Sequence, residues 1–327
     1  MSLKIIKQGL FDSVQDGGRN GYRHLGINPG GPMDQYAAAL ANALLGKDLS
    51  HPLIELSFPA SSFLFQTGTM ICLAGGNFSP FINDRPIKLH QPVYVPAGSL
   101  LQFKQLADGR WCYLAVAHEL QVEPWLKSFS THTKIGVGGF MGRTLKLDDI
   151  IPFKPFPHFR NNKTEVKQVT WQAKGLDYPD TKLEVIKGPE WNWLDDDAMK
   201  LLTTSSFRIA PQSDRMGYRL EGPVLNARVS QQVLSSAVGA GTVQLLPNGQ
   251  LIVLMADHQT TGGYPRIGHM AATSLPLLVQ QQTGKSISFK IMDAATAEQA
   301  LVSREQSLVK LRMACSFNMQ NYLDASM

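Results

Sequence analysis

The chain has 327 residues, 43% of them hydrophobic and 17% charged, with 28 glycines and 19 prolines. That balance describes a folded protein with a substantial core and many turns between short elements, and it excludes a disordered chain. The 31 basic residues exceed the 26 acidic ones by a net charge of only +5, and without a basic stripe or a nucleic-acid motif this excludes DNA or RNA as the expected partner.

At this length two domains are expected. The opening Met1-Ser2-Leu3-Lys4-Ile5-Ile6-Lys7 lacks the apolar stretch of a signal peptide, and the longest apolar run, Leu251 to Ala256, is too short to cross a bilayer. A cytoplasmic protein without membrane attachment is the expectation. Cys72, Cys112 and Cys315 are odd in number and widely separated, which predicts buried thiols rather than disulfides, a redox pair or a zinc site.

In chain order, Pro32-Met33-Asp34 opens a helix. Proline suits a first turn, Asp34 favours the positive helix end, and Ala37, Leu40, Ala41 and Leu44 form an apolar face before Gly46. Short strands follow between Gly, Pro and Asp turns: Phe63 to Phe65, Met70 to Leu73, Pro92 to Val95, Leu100 to Phe103 and Trp111 to Val116. Pro152 to Pro179, with Asn161-Asn162 and the basic Lys154, Arg160, Lys163, Lys167 and Lys174, reads as a surface connection. Strands resume at Lys182 to Ile186, Phe207 to Ile209, Thr242 to Leu246, Leu251 to Met255 and Ile287 to Ile291. Asp195-Asp196-Asp197 reads as the cap of a helix through Ala198 to Leu202, because three adjacent acids point in different directions and make a poor metal site. A last helix is predicted from about Thr296 toward Leu311, with Ala297, Ala300, Leu301, Leu308 and Leu311 on one face.

The expected fold is mainly β, with an N-terminal domain over 1–155, a linker over 156–180 and a C-terminal domain over 181–327 that ends in a helix. The stretches Val95 to Lys104 and Gln281 to Lys290 share a G-x-x-x-x-F-K spacing. Internal duplication and coincidence both account for that echo.

Ready-made catalytic signatures are missing. Gly136-Val137-Gly138-Gly139-Phe140-Met141-Gly142-Arg143-Thr144 departs from a phosphate loop at Val137 and at Arg143, and a turn is the expectation. No G-x-S-x-G elbow or H-E-x-x-H pair occurs. His118, followed by Glu119, is an acid/base candidate, or else a surface or satisfied histidine.

Three dense polar-glycine segments carry the functional signal. The first is Asp12-Ser13-Val14-Gln15-Asp16-Gly17-Gly18-Arg19-Asn20-Gly21-Tyr22 with Asn28-Pro29-Gly30-Gly31-Pro32-Met33-Asp34, and the second is Ser213-Asp214-Arg215-Met216-Gly217-Tyr218-Arg219-Leu220. The third, Asp257-His258-Gln259-Thr260-Thr261-Gly262-Gly263-Tyr264-Pro265, follows the apolar run. Glycines there let backbone N–H groups converge on an oxyanion, Asp257 can orient or accept a proton, and Gln259 can bond an amide; equally, Asp and Thr can simply close a tight turn.

Taken together, V-Q-D-G-G-R-N-G-Y, G-G-P-M-D, A-N-A-L-L-G-K, S-D-R-M-G-Y-R-L and L-M-A-D-H-Q-T-T-G-G-Y-P resemble the family of bacterial 5-oxoprolinase C subunits. That family also includes the carboxyltransferase half of urea amidolyase, allophanate hydrolase subunit 2 and the antagonist of a sporulation-kinase inhibitor. The resemblance runs from about Lys4 to about Ile291. It implies two cyclophilin-like β-barrels in tandem with a few short helices, and a complex with a B subunit (KipI-like) and an A subunit (LamB/YcsF-like). In that complex ATP, with Mg, drives ring opening of 5-oxoproline to glutamate, and the chain alone is expected to be inactive.

On this resemblance Asp257, Asp214 and Gln259 are the catalytic candidates, and Arg215, Arg19, Asp16, Asp34, Thr260, Thr261, Gly262, Gly263 and Tyr264 the substrate-binding ones; no metal is held. The sequence departs from the family at Lys127-Ser128-Phe129-Ser130-Thr131, where an arginine is expected, at His258, and at Ala117-His118-Glu119. Two other functions compete. A urea-amidolyase-type carboxyltransferase would use biotin, but Ala198-Met199-Lys200-Leu201 only superficially resembles an attachment site and no carrier or biotin carboxylase domain is present, so biotin is not expected. A regulatory antagonist of a sensor-kinase inhibitor would leave the polar segments without a task.

Overall fold

The computed structural model describes residues 1–154, 164–228 and 233–324. Residues 155–163, which include the first part of the expected linker with Arg160, Asn161, Asn162 and Lys163, lie outside the described residues. The chain forms two compact units that are discontinuous in sequence. The first comprises Met1–Arg19, Asp34–Leu176 and the chain from Gln306 onward; the second comprises Asn20–Met33 and Asp177–Glu305.

The first unit opens with β1 (Ser2–Lys7), β2 (Ser13–Gln15), α1 (Gln35–Leu44), β3 (Leu53–Ser57) and β4 (Ser62–Phe65). It continues with β5 (Thr69–Asn77), β6 (Pro80–Ile82), β7 (Arg85–Pro86), β8 (Val93–Val95) and β9 (Leu100–Phe103). β10 (Asp108–Val116), β11 (Ile150–Pro152) and β12 (Lys167–Gln168) complete it. The strands make two six-stranded sheets, in the orders β11-β1-β4-β9-β6-β7 and β12-β8-β5-β10-β3-β2.

Alternate residues of both sheets meet in one core, among them Leu3, Ile5, Phe63 and Phe65 from the first and Ile54, Leu56, Ile71, Leu73 and Leu114 from the second. β5 and β10 are buried on their other face as well, because α1 lies against them with Ala37, Leu40, Ala41 and Leu44. That double burial explains why these strands read as continuous apolar runs rather than alternating ones. Lys167–Gln168, placed by the sequence in a linker, instead adds an edge strand beside β8, and Trp171 donates Nε1–H to Leu44 O at 3.0 Å.

The second unit contains β13 (Lys182–Lys187), α2 (Asp196–Thr204), β14 (Ser206–Ile209), β15 (Gly217–Glu221), β16 (Ser236–Ala237) and β17 (Thr242–Leu245). β18 (Leu251–Leu254), β19 (Thr261–Gly262), β20 (Arg266–Met270), α3 (Leu275–Val279) and β21 (Ser286–Ile291) follow. Seven strands close into a barrel in the order β13-β20-β17-β18-β15-β14-β21, with β13 and β21 forming a parallel seam. Val185, Phe207, Tyr218, Leu220, Val243, Val253, Ile267 and Phe289 are buried at alternating positions, and Tyr218 satisfies its hydroxyl on Val279 O at 2.9 Å. Asp195 caps α2 as expected, its carboxylate accepting from Ala198 N–H at 2.7 Å.

The short-helix expectation needs correction at the C-terminal end. α4 runs over Ala294–Asp324, 31 residues, well past Leu311. Asp293 starts it by accepting from Thr296 N–H at 2.9 Å, and no Gly or Pro interrupts it. Cys315, Met319 and Leu323 extend the buried row begun by Leu308, while Ser316 and Gln320 are exposed. The polar residues after Leu311 disguise that row in the sequence.

Gly46 follows α1 at φ +70°, and a Cβ there would lie 2.6 Å from Ser316 Cα. Gly46→Ala is therefore expected to cost about 2–4 kcal/mol, strain plus a clash with helix backbone. At Gly98, φ +82° with nothing within 4 Å, the same change should cost about 1 kcal/mol. Denaturant unfolding of the two variants checks the ranking, and equal losses would contradict it.

Candidate functional site

Within the second unit the three polar-glycine segments meet at one guanidinium. β18 leads through Met255 and Ala256 to Asp257, whose N–H donates to Arg215 O at 2.8 Å, so the pairing with the residues before β15 continues past both strands. Arg215 grips Asp257 bidentately, Nε to Oδ2 at 2.8 Å and Nη2 to Oδ1 at 3.1 Å, and Nη2 also donates to Gly31 O at 2.7 Å. Arg215 is 6% exposed and Asp257 21%. A guanidinium so desolvated needs a partner charge and acceptors for its N–H groups, and the planar fork matches a carboxylate.

Asp214, next to it, closes a tight turn: Oδ1 accepts from Met216 N–H at 2.8 Å and from Gly217 N–H at 3.2 Å. The loop after Asp257 is fixed mostly through its backbone. Thr260 O accepts from Val238 N–H at 3.2 Å, while Thr261 and Gly262 pair with Ala237 and Ser236. Arg23, in the excursion Asn20–Met33, donates to Val238 O. His258 is buried, with Nδ1–H donating to Gln259 O, and burial lowers its pKa. At the loop's far end Arg266 pairs with Glu190, Nη2 to Oε1 at 2.7 Å, and hydrogen bonds from Arg266 hold the Glu190 carboxyl below its usual range.

Gln259 and Tyr264 project from this loop beside a cavity of about 490 Å³. Its barrel wall consists of Gly217 and Arg219 of β15, Gln244 of β17, and Ile252 and Leu254 of β18. These positions alternate with the core-facing Tyr218, Leu220, Val243 and Val253, so the cavity lies on the outside of the barrel. Asp214, Gln212 and Asn248 add polar groups. Arg219 and Gln244 were not singled out from the sequence. The arginine sits in a quoted motif, but only the strand's facing distinguishes it from Arg215, and Gln244 lies in an ordinary strand with no local signal.

The first-unit candidates have structural partners. Asp16 accepts from Gly18 N–H at 2.9 Å, Phe129 N–H at 2.6 Å and the Ser128 and Ser130 hydroxyls at 2.6 Å each. The segment 127–131 thus clamps this carboxylate. Arg19 is buried over the Trp125 ring at 5.0 Å and donates to Ser130 O. Asp34 caps α1, accepting from Ala37 N–H at 2.8 Å. His118 is a satisfied histidine, buried, bonded to Thr69 Oγ1 at 2.8 Å and stacked on Phe153.

Residues 25–291 match the family carboxyltransferase domain, subdomain A and B. The chain belongs to that family. Among members of this carboxyltransferase-domain family, it is 35% identical over 303 residues to the C subunit of the 5-oxoprolinase of Escherichia coli K12, covering 93% of this chain and 94% of that protein. It is 32% identical over 228 residues to the urea amidolyase of Saccharomyces cerevisiae, covering 68% of this chain but 12% of that protein. The crystal structure of the K. lactis urea amidolyase superposes with a TM-score of 0.86 at 25% identity, over 95% of this chain and 20% of that one. The chain therefore spans nearly all of the E. coli protein and a fifth or less of the urea amidolyases.

Two expectations test the electrostatics. Asp257→Ala leaves the Arg215 guanidinium desolvated without its counter-charge and should cost about 3 kcal/mol in denaturant unfolding; a loss below about 1 kcal/mol would mean that solvent already screens the pair. In the first unit, burial pushes the Asp12 carboxyl up to about 6 although Ser57 N–H and Ser61 N–H donate to it. Asp12 holds its proton more tightly folded than unfolded, so its contribution to stability is complete below the unfolded value and is lost as pH rises through about 6. Between pH 4 and pH 7 the wild type should lose roughly 2 kcal/mol relative to Asp12→Asn. Parallel pH dependences of the two proteins would contradict this.

Proposed function

We propose that the chain is the C subunit of an ATP-dependent 5-oxoprolinase, which with its A and B subunits hydrolyses 5-oxo-L-proline to L-glutamate. The observation that carries the reading is the near full-length match to a 5-oxoprolinase C subunit, whereas the urea amidolyases match over only a small part of their length. The cavity on the barrel of the second unit supports it chemically: carboxamides, a carboxylate and a guanidinium border a space suited to a small polar amide.

An unstrained lactam is a poor electrophile, so the ring opens only when negative charge on its oxygen is relieved, and ATP supplies that activation. The glycine run of this chain does not fit a phosphate cradle. Gly136 N–H and Val137 N–H donate to His132 O, Gly142 N–H donates to Gly138 O, and Arg143 is committed to Asp149 at 2.7 and 2.8 Å. We therefore assign ATP, with its Mg, to a partner protein of the complex, and to this chain the binding of the lactam. Water adds to the ring carbonyl carbon and the ring C–N bond breaks, the nitrogen leaving as the amine of glutamate with the proton the base took from that water; ATP ends as ADP, and a second water releases its γ-phosphoryl group as inorganic phosphate. Asp214, whose Oδ1 is held by its turn, offers Oδ2 as the proton acceptor; Gln259 donates to the amide oxygen; Thr260, Thr261, Gly262, Gly263 and Tyr264 form the loop that carries it. Arg215 and Asp257 hold that loop to the strand pair.

Glutamate release from 5-oxoproline and ATP is expected only with all three proteins present, and not with any one omitted. Turnover by this chain alone, or none by the full mixture, would overturn the proposal. Asp214→Asn keeps the turn acceptor and removes the base, so turnover should fall about 10²-fold with the complex intact.

A further inference from the structure

Arg215, the arginine expected to take the substrate anion, has its guanidinium on Asp257 and Gly31 O. Arg219 is in a different position. It stands on the outer face of β15, between buried Tyr218 and Leu220, and lines the cavity. Its backbone is fixed by Ser213, which accepts from Arg219 N–H at 3.1 Å and donates its hydroxyl to Arg219 O at 3.4 Å. Its side chain is exposed, and among the described residues it makes no ion pair, Asp214 included. A cation held on a rigid strand beside a cavity, with no carboxylate of its own, is arranged for an anion from outside.

Gln244 gives the cavity its second fixed polar group. It is 1% exposed, lies opposite Ile252, and donates one Nε2 hydrogen to Tyr264 O at 3.4 Å. Glycine at 262 is what admits this carboxamide, because a Cβ there would lie 2.7 Å from Nε2. Gly217 keeps the same wall low, since a Cβ would meet Ile252 Cδ1 at 2.7 Å. A cyclic amide is locked cis and presents N–H and C=O side by side. A primary carboxamide is its complement, with Oε1 accepting and the remaining Nε2 hydrogen donating.

We infer that Arg219 is the specificity-determining residue of this cavity, pairing with the carboxylate of a small lactam acid whose cis-amide edge is bonded by Gln244. The inference rests on the functional reading above and adds what selects an acid over a neutral amide such as urea, which offers the guanidinium no partner.

The test is steady-state kinetics of the reconstituted three-protein complex with wild type, Arg219→Gln and Arg219→Lys, using 5-oxo-L-proline as substrate and its neutral primary amide as competing ligand. Arg219→Gln should raise KM about 10- to 100-fold, the usual scale for a charge-assisted hydrogen bond, with kcat changed less than about threefold. The lysine variant should fall between, keeping charge but losing the fork. Inhibition by the neutral amide should be unchanged by either substitution. Arg208→Gln, a change at an exposed arginine of β14 paired with Glu221, serves as the charge control and should leave KM as in wild type. An unchanged KM in Arg219→Gln, or an equal rise in Arg208→Gln, overturns the inference while leaving the parent function standing. A wild-type complex without turnover overturns both.

Discussion

A guanidinium removed from water has to be neutralised and its five N–H groups given acceptors, and in the second unit that requirement falls on Arg215. Its guanidinium is answered from two places in the chain, the Asp257 carboxylate just past the end of β18 and a carbonyl in the glycine-rich excursion, while its own backbone carbonyl accepts from Asp257 N–H. Once those are met, the turn at Asp214, the loop from Asp257 to Pro265 and the approach to β15 have little freedom left. The cavity beside them is bounded by elements fixed for this reason. Breaking the pair would not simply delete one contact; it would leave a desolvated charge facing the loop that forms the cavity rim.

Burial and exposure then divide the arginines by role. Arg215 and Arg19 are deep and committed to internal acceptors, while Arg219 reaches the cavity from a strand held by its backbone. The same division applies to the acids, since Asp16 and Asp34 hold backbone N–H groups and hydroxyls of their own unit, and Asp214 both closes a turn and borders open space. Charge type alone assigns none of these roles; the number of internal partners does.

Much of the architecture was legible locally. Strands between glycine and proline turns, the Asp34 and Asp195 caps and the helix after Pro32 all depend on residues a few positions apart, so pattern and capping chemistry sufficed. The echo between Gly98 and Gly284 also has a local basis: both sit at left-handed φ just before a strand. The length of α4 was hidden because its later buried residues are diluted among polar ones. What could not be read was anything set by distant contacts. Asn20–Met33 looks like an ordinary stretch of the first half, and nothing near Arg215 announces that Asp257, 42 positions away, will claim it. The candidate segments were therefore visible, but not which of their charges remain open to a ligand.

The carbonyl that completes Arg215's shell lies 184 positions earlier in the chain. On a ribosome that acceptor emerges long before the guanidinium it serves, so the excursion must wait, unpaired, until the barrel strands have been made. The separation also limits dissection. A fragment beginning at the first barrel strand would carry the cavity's walls, but not Gly31 or Arg23, and would expose a strongly charged group to a gap. The smallest piece able to present this cavity intact is two stretches of polypeptide, not one.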